Sequence, residues 1–362
     1  MNLSDIVSIR LKSQQITSTK FKTAKQIISW LGAMQAQDYA MAKWGIGVRL
    51  PGSTNEVIET ALNKGEIIRT HLLRPTWHFV SPDDIYWMLE LTAPQIKSSM
   101  KSRNKELKLT KSVIEKSNKI IVEALSKGEH LTRDELKKEF EKNNIATGNN
   151  RLSHLLFEAE LDGLICSGNI KNKKQTYALL SRRVPIKKIL TKEESLAELA
   201  KRYFSSHCPA TIHDFIWWSG LTVKDAKNAL ELVKPNFISE TIDYQTYWLT
   251  NSFSIPKNNN KISVHLLPAY DEFIISYKTR HLAFPSGHFK KAVSSNGIFR
   301  PVIIVNGQVE GLWKRIINKD KVIIETEFFQ QPKSNILSLI KKKAGLYGNF
   351  FRMKTELYSK SN

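Results

Sequence analysis

The chain has 362 residues, enough for two or three modules, and its content of 41% hydrophobic and 25% charged residues is ordinary for a globular protein. Lys and Arg number 55 against 34 Asp and Glu, so the formal net charge of +21 predicts a polyanionic partner, nucleic acid before an anionic membrane surface. The sequence has no disulfide framework, metal-ligand spacing, signal-peptide core or membrane-length apolar run, and we therefore expect a cytoplasmic protein with no metal and no cofactor.

The first predicted unit covers residues 1–81 and consists of helices followed by a hairpin. Periodic apolar residues predict helices over 3–12, 23–34, 39–48 and 55–62, and strand-like runs at 67–72 and 76–80. Asp38 can cap the third helix. An extended segment just before it would send Gln35 and Gln37 to one side and the small Ala36 to the other. On spacing alone, two solvated turn residues are the simpler interpretation of these glutamines.

The second strand of this hairpin is predicted to have one polar face. Arg74, Thr76 and His78 alternate there with apolar residues, and alternate residues of a strand share a face. This face either meets water or lines a channel for DNA. Arg74 and His78 are therefore candidate DNA-binding residues.

The second predicted unit, residues 82–190, repeats the same order. We expect helices over 83–100, 112–125, 133–143 and 151–161, then strands at 164–167 and 176–180. The connector between these strands is rich in Asn and Lys and predicts a flexible basic hairpin tip suited to backbone phosphates, although such charge runs are usually solvated loops. The candidate DNA-binding residues of this unit are Lys171, Lys173 and Lys174 at the tip, and Arg182 and Arg183 in the linker that follows.

The third predicted unit, residues 191–256, has expected helices over 193–204, 212–219 and 223–232 and strands at 237–241 and 244–249. Thr211 and Thr222 can each cap a helix, and Gly220 can form the turn between them. Trp217 and Trp218 could stack on bases, but at least one of them is expected in the core.

The last predicted unit, residues 257–362, is a β-rich module. Strands are expected at 263–267, 273–277, 301–305, 308–313 and 322–328, and Asn306–Gly307 is a strong hairpin signal. An amphipathic helix over 334–347 closes the chain. Because helices followed by a hairpin occur three times before it, we predict an α+β fold of three tandem winged-helix motifs followed by a small β-rich C-terminal module.

Four stretches, in this order, resemble the AlkZ/YcaQ-type DNA glycosylases. They are MQAQDYA (34–40) with KWGIGVRL (43–50), RTHLLRPTWHFVSPDDIYWML (69–89), LLPAYDEFIISYKTR (266–280) and FRPVIIVNGQVEGLWKR (299–315). The resemblance implies a tandem winged-helix protein that excises alkylated or crosslinked bases from double-stranded DNA. It also implies that Gln35 and Gln37 are the catalytic residues.

The chemistry of a carboxamide pair fits an N-alkylated purine, which is cationic and leaves readily. A carboxamide oxygen can hold the attacking water and face the positive charge that develops on the sugar, while its NH2 can bind a phosphate or sugar oxygen. We assign Gln37 to the water and Gln35 to its orientation, although the reverse order is compatible with the sequence. Some relatives carry the stronger base Asp at the second position. We also expect a monofunctional enzyme, because no lysine is set for Schiff-base chemistry.

Two other functions remain open. A non-catalytic winged-helix DNA-binding protein or transcriptional regulator would have the same fold, charge and wings. A protein-interaction scaffold with a basic surface would bind DNA weakly and leave no abasic product. In the leading hypothesis the protein acts as a monomer at the nucleoid.

Overall fold

The computed structural model describes residues 2–128, 130–251, 262–284 and 287–360, and they form a mixed α+β fold. Across these ranges, none of the helices is long and apolar enough to cross a membrane.

The first part of the chain ends in a small antiparallel sheet whose strand order is β1-β3-β2. Its elements are α1 (Leu3–Ser13), α2 (Ala24–Leu31), β1 (Ala33–Gln35), α3 (Tyr39–Arg49), α4 (Asn55–Asn63), β2 (Ile68–Leu72) and β3 (Thr76–Val80). The helix predicted over 23–34 is too long. It ends at Leu31 because Gly32 adopts φ of +81°, and the next three residues pair with β3 instead.

The second part repeats helices followed by a hairpin, and its sheet has the order β4-β6-β5. Its elements are α5 (Ile85–Glu106), α6 (Lys111–Leu125), β4 (Leu131–Thr132), α7 (Arg133–Lys142), α8 (Arg151–Leu161), β5 (Ile165–Ser167), β6 (Thr176–Leu179) and α9 (Leu180–Arg183). The predicted elements are present, with ends that differ by a few residues.

The third part contains α10 (Lys192–Ser206), α11 (Ile212–Ser219), α12 (Val223–Val233), a short 3-10 turn (Lys234–Asn236), β7 (Phe237–Ile242) and β8 (Gln245–Thr250). The predicted caps are confirmed: the Thr211 and Thr222 side chains accept from backbone N–H groups in the first turns of α11 and α12. Gly220 ends α11 with φ of +69°, and a Cβ there would lie 2.3 Å from the carbonyl oxygen of Leu73. The glycine therefore permits close approach of α11 to the β2–β3 turn.

The C-terminal part is built on a five-stranded sheet of order β13-β12-β11-β10-β9, in which β12 and β13 are parallel and the other pairs antiparallel. Its elements are β9 (Val264–Leu267), α13 (Glu272–Ile275), α14 (Phe289–Ala292), β10 (Val302–Val305), β11 (Gln308–Ile317), β12 (Lys321–Phe328), α15 (Ser334–Phe351) and β13 (Lys354–Lys360). The Asn306–Gly307 hairpin is confirmed, since both residues adopt positive φ between β10 and β11. The Asn-rich stretch after Pro256, for which the sequence predicts a loop, lies outside the described ranges.

The strand predicted at 273–277 is wrong, because this segment begins with the helical turn α13. The Asp271 side chain accepts from the Phe273 backbone N–H at 2.9 Å and starts the turn. A short, fully buried apolar run has no clear periodicity, so it fits a strand or a helix equally well.

Hydrophobic cores cross the predicted unit boundaries. One core packs Trp44 and Phe79 of the first part with Leu266, Trp313 and Tyr347 of the C-terminal part. Another joins β2 and α5 to α10, α11 and α12. The first part is therefore packed between the third and the C-terminal parts. The predicted boundaries at 81, 190 and 256 stay a prediction.

A buried ion pair fixes α3 to the segment that leads into α13. The Arg49 guanidinium, fully excluded from solvent, donates to both carboxylate oxygens of Asp271 at 2.8 Å. It also donates to the backbone oxygen and side-chain oxygen of Gln14, at 2.9 and 3.0 Å. Removal of one partner from such a pair leaves the other charge unpaired in the interior.

We predict that Asp271→Ala lowers the free energy of unfolding by about 3–5 kcal/mol, the usual cost of an unpaired buried charge. Glu56→Ala is the matched control, because it breaks the exposed ion pair with Arg352 and should cost roughly 0–1 kcal/mol. Denaturant unfolding of the two variants measures both effects. Equal losses of stability in the two would contradict the structural role of Arg49–Asp271.

Candidate active site

Gln35 is the last residue of β1 and pairs in register with His78 on β3. Its side chain is largely buried, at 8% exposure, and its Oε1 accepts from Arg74 Nη2 at 3.3 Å. Its backbone N–H donates to Glu272 Oε1 at 2.6 Å. Both the backbone and the side chain of Gln35 are therefore held by charged groups from other segments.

The local fold around the glutamines follows from the two helices that flank them. Gly32 ends α2, and the Asp38 side chain begins α3 by accepting from the Met41 backbone N–H at 3.0 Å, which confirms the predicted cap. The segment between them begins as β1 and ends in a bend at Gln37 and Asp38, and Ala36 lies in the core with no exposure. Of the two glutamines that flank Ala36, Gln35 is buried and Gln37 is exposed.

Gln37 is exposed and is oriented by β3. Its Oε1 accepts from the Trp77 backbone N–H at 3.3 Å, and the neighbouring Ala36 N–H donates to the Trp77 carbonyl at 2.7 Å. The Arg69 guanidinium donates twice to the Ala36 carbonyl, at 3.1 and 3.0 Å. The backbone between the two glutamines is thus fixed, whereas the Gln37 carboxamide stays accessible.

Glu272 is the carboxylate beneath Gln35, and it is only 1% exposed. Its Oε2 accepts from Trp218 Nε1 at 3.2 Å and from the Ser276 hydroxyl, and it lies 3.7 Å from His207 Nε2. Burial alone would raise the pKa of Glu272, but His207 and the hydrogen bonds from Ser276 and Gln35 lower it to about 2. The carboxyl is therefore ionised at neutral pH and serves as an acceptor.

Of the candidate residues in the first part, Arg74 lies at the site and His78 lies beneath it. Arg74 follows β2, and one of its nitrogens contacts Gln35. His78 is fully buried, its Nδ1 lies 2.9 Å from the Thr76 carbonyl, and burial lowers its pKa to about 3. Its imidazole is therefore neutral at pH 7, and the structure does not place it on a surface that could meet DNA.

The candidate lysines of the second part lie in the β5–β6 connection. Lys171 and Lys174 form ion pairs with Glu135 at 2.8 Å and Asp134 at 2.9 Å, both on α7. The hydrogen bond from Lys171 is the main cause that lowers the pKa of Glu135 to about 2. Lys173 is exposed at the tip, where it adopts φ of +63°. A phosphate bound here would compete with the two carboxylates.

The two candidate arginines on α9 differ in their surroundings. Arg182 is exposed and donates to the Ser126 carbonyl at 3.3 Å. Arg183 donates to the carbonyls of Leu62 and Asn63 and to the side chain of Asn169. Arg183 therefore connects the end of α4 to the β5–β6 connection. Because its guanidinium makes these hydrogen bonds, fewer of its N–H groups are available to a phosphate.

Two residues that hold the glutamines were not predicted from the sequence. Arg69 fixes the carbonyl of Ala36, and Glu272 accepts from Gln35. The sequence does contain a signal for Glu272, because this acidic residue directly precedes the apolar run 273–275. A carboxylate that is buried with such a run requires several hydrogen-bond donors. In the described ranges, no three side chains of His, Cys, Asp or Glu are grouped to hold a metal ion.

Comparison with known proteins gives a consistent result. The model of the "DNA glycosylase AlkZ-like" family matches residues 28–349. The chain is 20% identical over 350 residues to an interstrand DNA cross-link repair glycosylase of Streptomyces sahachiroi, with 92% of this chain and 93% of the relative covered. Among solved structures, Streptomyces sahachiroi DNA glycosylase AlkZ is similar over 99% of both chains, with a TM-score of 0.81 and 17% identity.

The family match includes the glutamine segment and the three further stretches that resemble these glycosylases, and the structural likeness extends over the whole fold. The resemblance found in the four motifs is thereby confirmed. This chain belongs to the AlkZ-like DNA glycosylase family.

Proposed function

We propose that this protein hydrolyses the N-glycosidic bond of alkylated, cationic purines in duplex DNA, including crosslinked adducts. The observation that carries the proposal is the arrangement of Gln35 and Gln37, two neutral carboxamides held by Arg74 and Trp77, of which Gln37 is exposed. The name of the Streptomyces sahachiroi relative, an interstrand DNA cross-link repair glycosylase, supports crosslinked substrates.

The roles of the two glutamines follow from their exposure. Gln37 is exposed, and its Oε1 is oriented by the Trp77 N–H, so it is suited to hold the attacking water. Gln35 is buried, its backbone N–H is bound by Glu272 and its side chain by Arg74. It is therefore suited to fix the geometry of the site and to face the sugar with a carbonyl dipole. Neither can take a proton from water as a carboxylate does. The site therefore favours a base that leaves without acid assistance.

The fold is suited to hold the damaged duplex. We interpret the three repeats of helices and hairpin as winged helices at residues 1–81, 82–190 and 191–256, followed by the β-rich module 257–362. Their basic side chains, including Lys173 and Arg182, would then line one channel for DNA, bound by a monomer at the nucleoid. The enzyme is monofunctional in this account: Lys43, the lysine most buried of those described, forms an ion pair with Glu59.

We predict that the protein releases N7-methylguanine from duplex DNA but releases uracil poorly, because uracil is a neutral base that needs assistance to leave. Heat or alkaline cleavage of the resulting abasic sites measures the release. General acid–base assistance typically contributes roughly 100- to 10,000-fold in rate, which sets the expected gap between the substrates. Efficient uracil release would contradict the mechanism. Binding of DNA with no release of either base would support the non-catalytic regulator instead.

We predict that Gln37→Ala slows N7-methylguanine release by roughly 100-fold or more, the usual effect of removing one preorganised polar group. The affinity for DNA should stay nearly unchanged, since one neutral side chain adds little to many phosphate contacts. Gln37→Asp, which shortens the side chain by one methylene but adds a stronger base, should retain activity. Single-turnover release and equilibrium binding of both variants separate these effects. A large loss of affinity in Gln37→Ala would assign this residue to binding.

We predict that catalysis shows no pH optimum between about pH 5 and 8, since a general acid or base of matched pKa is absent from the proposed mechanism. The pKa of Glu272 is lowered to about 2, so the stabilisation it provides is lost only as the pH falls toward 2. His78, with a pKa near 3, stays neutral throughout. The measurement is the rate of N7-methylguanine release divided by spontaneous release from the same duplex, which removes titration of the base itself. A bell-shaped ratio would reveal a catalytic acid or base.

We predict that replacing Lys171, Lys173 and Lys174 with Ala lowers the slope of log affinity against log salt by about 0.9 for each phosphate that these side chains neutralise. The control is Asp134→Asn with Glu135→Gln, which removes the ion pairs of these two acids with Lys174 and Lys171 and should strengthen binding only while the lysines are present. Salt titrations of duplex binding measure both. An unchanged slope in the triple variant would place the DNA surface elsewhere.

A further inference from the structure

Three cationic side chains surround the indole of Trp217. The Cζ of Arg74 lies 5.6 Å from the ring centre, the Nζ of Lys278 5.0 Å, and the Cζ of Arg280 5.0 Å. The ring itself is held in place, because its Nε1 donates to the Ile275 carbonyl at 2.8 Å. A fixed aromatic surface thus gathers three positive charges.

This cluster is assembled from three distant parts of the chain. Arg74 lies in the β2–β3 turn, Trp217 on α11, and Lys278 and Arg280 just after α13. Arg74 also donates to Gln35 Oε1, so the cluster adjoins the catalytic motif directly. An anion held there would be separated from Gln35 by the guanidinium of Arg74.

No carboxylate in the described residues lies within 4.0 Å of these three cations, and the nearby acids are already used. Asp214 accepts from the Thr211 and Lys278 backbone N–H groups and lies 3.5 Å from Arg10. Glu272 accepts from Gln35, Trp218 and Ser276. The positive charge of the cluster is therefore not balanced by an ion pair.

The cations also have unused donors. The Nε of Arg74 and the Nη2 of Arg280 are buried from solvent and have no hydrogen-bond partner in the structure. Burial, and then the neighbouring charge of Arg74, lower the pKa of Arg280 to about 10, so the guanidinium remains protonated at neutral pH. Buried guanidinium N–H groups without an acceptor are costly, and an entering anion would satisfy them.

We propose that Arg74, Lys278 and Arg280 form a binding site for one backbone phosphate of the damaged strand, next to the target nucleotide. This inference rests on the proposed function and names the part of the substrate that the cluster takes. A phosphate is a suitable anion because its oxygens can accept from two guanidinium groups and an ammonium at once. Backbone phosphates also fix the register of a protein on the duplex.

Phosphate binding at this place has a consequence for the reaction. The sugar becomes positive as the base departs, and three unbalanced cations beside Gln35 would oppose that charge. With the phosphate bound, its single negative charge offsets part of the positive charge of the cluster. The contact from Arg74 to Gln35 then transmits the position of the backbone to the carboxamide. The phosphate therefore assists both binding and the positioning of Gln35.

The test uses the full chain and a duplex that carries a tetrahydrofuran abasic analogue, which cannot be cleaved. The phosphates around the analogue are replaced one at a time by neutral methylphosphonate, and the affinity is measured for the wild type, Arg280→Met and Lys278→Met. Lys342→Met is the matched control, because Lys342 is exposed on α15, which contributes no residue to the cluster. The exposed Lys278 keeps the test decisive should Arg280→Met fold poorly, since Arg280 also donates to the Ile274 carbonyl.

We expect one methylphosphonate next to the analogue to weaken binding by the wild type and the control, but to have little further effect on Arg280→Met or Lys278→Met. The salt slope of these two variants should fall by about 0.9, the value for one phosphate left without its cation. Equal methylphosphonate effects on the wild type and both cluster variants at every position would overturn the phosphate site. The release of N7-methylguanine by the wild-type protein is measured in a separate assay. Its absence would count against the proposed function while the phosphate coupling could still hold.

Discussion

The backbone N–H of Gln35 donates to the Glu272 carboxylate at 2.6 Å and joins residues that lie 237 positions apart. An ionised carboxylate in the interior is costly unless donors surround it, and here they come from β1, from Trp218 on α11 and from Ser276. The position of the first glutamine therefore depends on correct packing of three parts of the chain. Arg49 and Asp271 fix the same region, because Asp271 both pairs with Arg49 and caps the turn that contains Glu272.

The charges around the glutamines match the chemistry proposed for them. The carboxylate that accepts from the Gln35 backbone, Glu272, is buried and committed to hydrogen bonds, so it is not available as a base for water. The exposed group is the neutral carboxamide of Gln37. Because such a site cannot protonate a leaving base, the positive charge must already be on the substrate. The phosphate site proposed at Arg74, Lys278 and Arg280 would place an anion of the DNA backbone beside these cations.

Local signals predicted much of the secondary structure. The caps at Asp38, Thr211 and Thr222 and the Asn306–Gly307 turn act over a few residues, so the sequence alone was sufficient for them. The α+β fold was also predicted, whereas the difference in exposure between the buried Gln35 and the exposed Gln37 was not. The strand expected at 273–277 was wrong, because a short buried apolar run takes its conformation from its surroundings.

Long-range contacts could not be predicted from the sequence. β1 is three residues long and exists only through pairing with β3, and the parallel strand β13 was not predicted. The burial of His78 and the ion pairs of Lys171 and Lys174 depend on which side chains meet after folding. The same is true of Glu272 and of the cations around Trp217. The candidate catalytic pair was predictable from a motif, whereas the groups that hold it were not.

The most direct test of the account is single-turnover release of N7-methylguanine by the double variant Gln35→Ala with Gln37→Ala, compared with each single variant. If the two carboxamides act as a unit, the double variant should be almost as slow as the slower single variant, because groups that act together are not additive. Its affinity for the damaged duplex should remain close to that of the wild type. Release by the double variant at the wild-type rate would contradict the assignment of catalysis to Gln35 and Gln37.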